Sequence, residues 1–209
     1  MSLSLAIFII VVILVVGGFA LGTQRNVKRG HDAMRWLQDG LPLVGEKTTL
    51  RWLGSSVVHL KIANAKRPFR ECEILFVLEP RDLAPLWWFS RLQGRRDLFI
   101  FRSRMHTLPD FELEAFQPKT WSARGREAHL RRQKWQPITT RDSLVAYAPE
   151  GSPTGTQLLD LAALSGCPLL RLSVQRSDPN FEVHWPLAEL QKLPASTVFQ
   201  TLLKIGQQI

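Results

Sequence analysis

Residues 5–22 read LAIFIIVVILVVGGFALG, eighteen positions without one charged side chain. Coiled as a helix, the run is about 27 Å long, close to the roughly 30 Å of hydrocarbon in a bilayer. A helix that lies on a soluble core keeps a polar side for water, and this one has none. The run therefore predicts a transmembrane helix over residues 1–22. A cleaved signal peptide is the rival, because Ala20-Leu21-Gly22 fits a small-x-small cleavage site. Against it, no Lys or Arg precedes the run, and the run exceeds the usual signal core. Gly18 and Gly22 form a G-x-x-x-G pair, a spacing that lets two such helices approach closely.

Charge sets the expected orientation. Arg25, Lys28 and Arg29 follow the run directly, and the positive-inside rule places that flank in the cytoplasm. The chain is expected in the cell membrane, single-pass, with its C-terminal domain cytoplasmic. The formal charge of +9 is uneven: residues 23–141 carry 23 Lys and Arg against 12 Asp and Glu, and residues 142–209 carry 4 against 6. A basic surface on the part nearest the run expects an anionic partner. Cys72 and Cys167 lie far apart and outside any C-x-x-C, so they read as buried reduced thiols rather than a disulfide or zinc framework.

Residues 23–45 read as a juxtamembrane helix or linker, alternatively as an extension of the apolar helix, with Gly40 as its stop and Pro42 and Gly45 after it. Residues 46–209 read as one soluble domain. Alternation of polar and apolar residues predicts strands over 47–53 and 56–63, with Gly54-Ser55 as the hairpin turn. Further strands are expected over 71–79, 97–105, 110–116, 143–148, 168–174 and 181–185. In the fifth of these eight, Phe111, Leu113 and Ala115 share one face and Glu112, Glu114 and Phe116 the other. Helices are expected near 82–94, 156–166 and at the C-terminus. The order predicts an α+β fold with a largely antiparallel sheet and a few helices.

The segment PLWWFSRLQGRR, residues 85–96, carries the most functional information. As a helix with Asp82 as N-cap, Pro85 in its first turn and Gly94 as stop, it has two apolar sides. Leu83, Leu86 and Trp87 form one; Pro85, Trp88, Phe89 and Leu92 form the other. One sheet covers one side only. The expectation is that Trp87 faces the core and that Trp88 and Phe89 face outward. Together with Trp87, Arg91, Arg95 and Arg96 they would contact lipid or a partner, since tryptophan favours the bilayer interface and arginine its headgroups. A second basic stretch holds Lys119, Arg124, Arg126, Arg131, Arg132 and Lys134, with Trp121 and Trp135 towards its ends. It is expected to be a long basic loop or exposed helix that adds to the same contact surface.

No catalytic, metal-binding or cofactor motif is visible. His31, His59, His106, His129 and His184 lie outside any metal signature, H-E-x-x-H is absent, and EGSPTGT at 150–156 lacks the lysine of a P-loop. The resulting expectation is a single-pass, membrane-anchored, non-catalytic scaffold or accessory subunit. Its partners would be anionic lipid and a membrane protein or second copy of itself. A membrane-tethered enzyme with a site not readable in sequence is the alternative, followed by a tethered nucleic-acid binder, which ranks below lipid and protein partners.

Overall fold

The structure is a computed structural model that describes residues 2–118, 120, 123, 125–140, 144–151 and 155–209. Its first element, α1 (Leu3–Gln38), is one unbroken helix of 36 residues. The apolar run fills its first half, and 6% of the most apolar eighteen-residue window is buried. By length and composition it can cross a bilayer.

The second half of α1 packs on the remaining structure through Gly22, Asn26, Gly30, Ala33 and Leu37. These recur every three or four residues, so they form one stripe. The stripe is made mostly of small residues, and the helix backbone comes close to what it covers. A Cβ at Gly30 would meet the Trp52 ring at 2.4 Å, and one at Gly22 would meet the Arg81 carbonyl oxygen at 2.0 Å. Residues 23–45 are thus the second half of α1 and the short α2 (Leu41–Val44), both packed against the body.

That body is built on a nine-stranded antiparallel sheet in the order β1-β2-β3-β4-β9-β8-β5-β7-β6. The strands are β1 (Lys47–Leu53), β2 (Val57–Ala63), β3 (Phe69–Val77), β4 (Leu98–Met105), β5 (Leu113–Phe116), β6 (Gln136–Ile138), β7 (Val145–Ala148), β8 (Arg171–Val174) and β9 (Phe181–Pro186). The α+β expectation is met. The first four strands form a meander, and β9 then docks against β4, joining distant parts of the chain. Alternation sends Val58, Leu60, Ile62, Ile74, Phe76, Phe99, Phe101, Val183 and Trp185 to one face. The domain half of α1, α2, α5 (Gln157–Ala162), α6 (Leu187–Leu190) and α7 (Ala195–Gly206) contribute buried apolar side chains to the same core.

The other face carries a smaller cluster of Phe116, Ala123, Leu130 and Tyr147, covered by α4 (Arg126–Arg132). In β5, Leu113 and Ala115 join the main core and Phe116 the small cluster, as the alternation requires. Three expectations need correction. Of the eight expected strands, the fifth begins at Leu113 rather than at 110, and the seventh at Arg171 rather than at 168. The stretch 117–142 is not simply loop or helix: it contains α4 and then β6, which pairs with β7 and closes the sheet edge.

Both thiols are buried and free. Burial pushes the Cys72 thiol up, and pushes Cys167 up to about 12, so neither is a thiolate nucleophile at neutral pH.

Candidate membrane-facing site

The segment between β3 and β4 projects from the sheet where α1 leaves its apolar run. It holds α3 (Ala84–Leu92), which starts after Leu83 with Pro85 in the first turn. Asp82 is not its cap. The Asp82 carboxylate instead accepts from the Ser55 hydroxyl at 2.6 Å, tying the segment to the β1–β2 turn. Gly94, at φ +79°, lets the chain reverse after the helix into β4.

A compact charge network fixes this segment to α1. Asn26 on α1 donates to the Glu79 carbonyl at 3.0 Å and accepts from Arg81 at 3.1 Å. Arg81 grips the Asp97 carboxylate with two parallel bonds, 3.0 and 2.9 Å long. Asp97 also accepts from the Glu79 amide at 2.8 Å and pairs with Arg29 of α1 at 3.5 Å. The second buried carboxylate, Glu79, accepts from the Trp87 indole N–H at 2.5 Å and pairs with Arg91 at 3.4 Å. Arg91 also lies over the Trp87 ring, 5.7 Å from its centroid. Two carboxylates taken out of water are thereby matched to three arginines and to neutral donors, as burial of charge demands.

The consequence for α3 is a reversed polarity. The side it turns inward is polar: Ser90 is buried, and Trp87 and Arg91 reach Glu79. The apolar side chains point away from the body, with Trp88 62% exposed, Phe89 60% and Leu92 71%. Leu83 and Leu86, expected beside Trp87 on the core face, are exposed as well, at 49% and 46%. No apolar face of α3 rests on the sheet, because what holds α3 is the Glu79 carboxylate rather than a core. Gly22, the last residue of the apolar run, touches the backbone of Arg81 and Asp82 just before α3. The apolar ledge therefore stands at the level where the apolar half of α1 ends. The same contact occupies the Gly22 member of the G-x-x-x-G pair within the chain.

The other expected contact residues fall in different places. Arg25 and Lys28 are exposed on α1, and Arg29 is drawn into the Asp97 pair. Arg95 and Arg96 follow α3, and Arg96 donates to the carbonyls of Arg91 and Arg95. Arg126, Arg131 and Arg132 lie on α4 over the opposite face of the sheet, with Lys134 and Trp135 in the turn behind it. Arg131 pairs with Glu127, which also accepts from the Tyr147 hydroxyl, and Trp135 packs on the small cluster. Trp121, Arg124 and Lys119 lie outside the described residues.

On that face a second group of buried charges crosses the sheet. Arg171 on β8 joins Glu114 on β5 at 2.7 Å and contacts Glu182 on β9. Glu182 also accepts from Arg102 at 2.7 Å and pairs with His184 at 2.6 Å. Burial favours the neutral Glu182, but the His184 hydrogen bond and the charges of Arg171 and Arg102 outweigh it and pull its pKa down to about 2. Burial holds His184 below the ordinary histidine range. Among the described residues no three His, Cys, Asp or Glu side chains are grouped to share a metal ion.

The network at α3 was not foreseen from Asn26, Glu79, Arg81 and Asp97. The one usable signal was the spacing of Gly22, Asn26, Gly30 and Ala33, which marks a helix face too small and too polar to face lipid. Neither a protein-family model nor a curated protein matches the sequence.

Proposed function

We propose that the chain is a membrane-anchored, non-catalytic scaffold or accessory subunit with a cytoplasmic domain held flush against the bilayer. Residues 5–22 form the anchor. Arg25 and Lys28, exposed just after it, support the cytoplasmic side through the positive-inside rule. The observation that carries the reading is the reversed polarity of α3. An exposed apolar ledge in water costs free energy, and contiguous patches of this kind mark contact surfaces. This ledge holds Trp88, Phe89 and Leu92, stands level with the end of the anchor, and is followed by Arg95 and Arg96. Such a composition suits the interfacial zone of a membrane with anionic headgroups, or a partner lying in the same zone.

A nitroxide at Trp88→Cys in the full chain, reconstituted in bilayers, tests this directly. Collisions with dissolved oxygen should exceed those with a water-soluble nickel complex. If the nickel complex dominates at position 88 while oxygen dominates at position 12, the anchor stands and the interfacial ledge does not. Proteolysis of the C-terminal domain from outside intact cells would overturn the orientation.

A further inference from the structure

Where the ledge ends, a cleft of ≈ 240 Å³ opens beside the C-terminus of α3. Leu98, Pro168, Leu170 and Pro186 supply apolar wall, and Arg95 and Arg96 line the side nearest α3. Leu98 and Pro186 are register partners at the ends of β4 and β9, so this wall belongs to the rigid sheet. Leu98 begins its strand directly after Asp97, the residue that anchors Arg81 and Arg29, and the cleft therefore lies at the same end of the domain as the ledge. The bonds from Arg96 to the Arg91 and Arg95 carbonyls, 3.1 and 2.7 Å, hold its guanidinium against the helix end. Glu189 also lines the cleft.

A pocket that encloses a whole drug-sized molecule has roughly 300–1,000 Å³. This one is smaller, and it suits one end of an apolar chain. Two arginines beside an apolar wall call for an occupant with an apolar tail and an anionic head. Glu189 repels an anion, which assigns the head to the arginine side. We propose that the cleft takes part of one acyl chain of an anionic membrane lipid, with Arg95 and Arg96 meeting its phosphate. This rests on the reading of α3 as an interfacial ledge, which brings the cleft within reach of lipid.

The test uses the full chain in nanodiscs and phosphatidylglycerol bearing a diazirine on one acyl chain, a few carbons from its ester. Phosphatidylcholine with the same chain is the comparison. After illumination, label should appear in peptides 94–98 and 168–170, as well as on 83–92. Two arginines at about 1 kcal/mol each predict a preference for phosphatidylglycerol of about 30-fold in the cleft. Arg95→Gln with Arg96→Gln should remove that preference. Leu170→Trp fills the cleft and should abolish label there while leaving it on 83–92. Pro168→Phe, made at an exposed position, is the second filling variant should Leu170→Trp unfold. Label on 83–92 without any in the cleft overturns this proposal and leaves the ledge standing. Absence of label from 83–92 as well overturns both. Equal labelling by the two lipids, or label that survives both filled clefts, refutes the assigned occupant.

Discussion

Helices α3 and α7 carry apolar residues in similar abundance and use them in opposite ways. On α7, Val198, Phe199, Leu202 and Ile205 recur at helical spacing and are fully buried against the sheet and α5. On α3, Trp88, Phe89 and Leu92 recur just as regularly, and each is more than half exposed. α7 is held by burial of apolar surface. α3 is held by Glu79, which grips Trp87 and Arg91, while Arg81 and Asp97 tie its base to α1. An apolar helix secured by polar contacts has its greasy side left over, and that remainder is where a second solvent or a partner can act.

The largest expected effect is on α7. Phe199→Ala leaves a void in place of a fully buried ring and should cost about 3–5 kcal/mol, read as a fall in thermal midpoint of the detergent-solubilised chain. A loss within experimental error would erase the contrast between the two helices.

Acid provides a probe that involves neither helix. Glu182 has its pKa lowered from 4.5 to about 2 in the fold. The native state then binds fewer protons than the unfolded chain, so the stabilisation is complete above about pH 4.5 and is lost as pH falls towards 2. For a shift of this size it amounts to about 3 kcal/mol. His184 is also depressed, so its contribution is complete above the ordinary histidine value and begins to be lost as pH falls below 6.5. Thermal midpoints should therefore decline in two stages, and Glu182→Gln should remove the lower one. A midpoint that rises on acidification would refute the assignment.

A smaller effect is expected at the base of α3. Asp97→Ala leaves Arg81 and the Glu79 amide without their acceptor, at about 1.5–3 kcal/mol for hydrogen bonds to a charged group. Hydrogen exchange should quicken in residues 84–92 and stay slow in α7. Equal quickening in both would mean that α3 is not held independently. The smallest effect belongs to the ledge. Trp88→Ser with Phe89→Ser should change stability by no more than about 0.5 kcal/mol, measured by the same thermal unfolding in detergent, while weakening contact with the bilayer. A loss comparable to that of Phe199→Ala would show the pair to be core.

Much of this architecture could be read locally. Alternation and Gly54-Ser55 placed the β1–β2 hairpin to within a residue, because a hairpin is specified by neighbouring residues alone. Pro85 and Gly94 bracketed α3 for the same reason. The pairing of β9 with β4 was not legible, since it joins residues some eighty apart and depends on the whole sheet. Nor was the inward side of α3. Periodicity ranks sides by hydrophobicity, and here a buried carboxylate from β3's end selected the polar one. The site residues divided accordingly: Trp87 to Arg96 form one region, whereas Arg126 to Trp135, similar in composition, cover the other face of the sheet.

The continuity of α1 has a mechanical consequence. At 1.5 Å per residue its 36 residues make a rod of about 54 Å, clamped from Gly22 onward by the domain. Clamping one end of a stiff rod fixes the azimuth of the other. Each residue inserted near Phe19 would swing the outer half by about 100° relative to α3. One insertion should then redirect every side chain from residue 5 to 18, whereas seven, close to two full turns, should nearly restore their bearing. The outer half has no heading of its own: the sheet steers it.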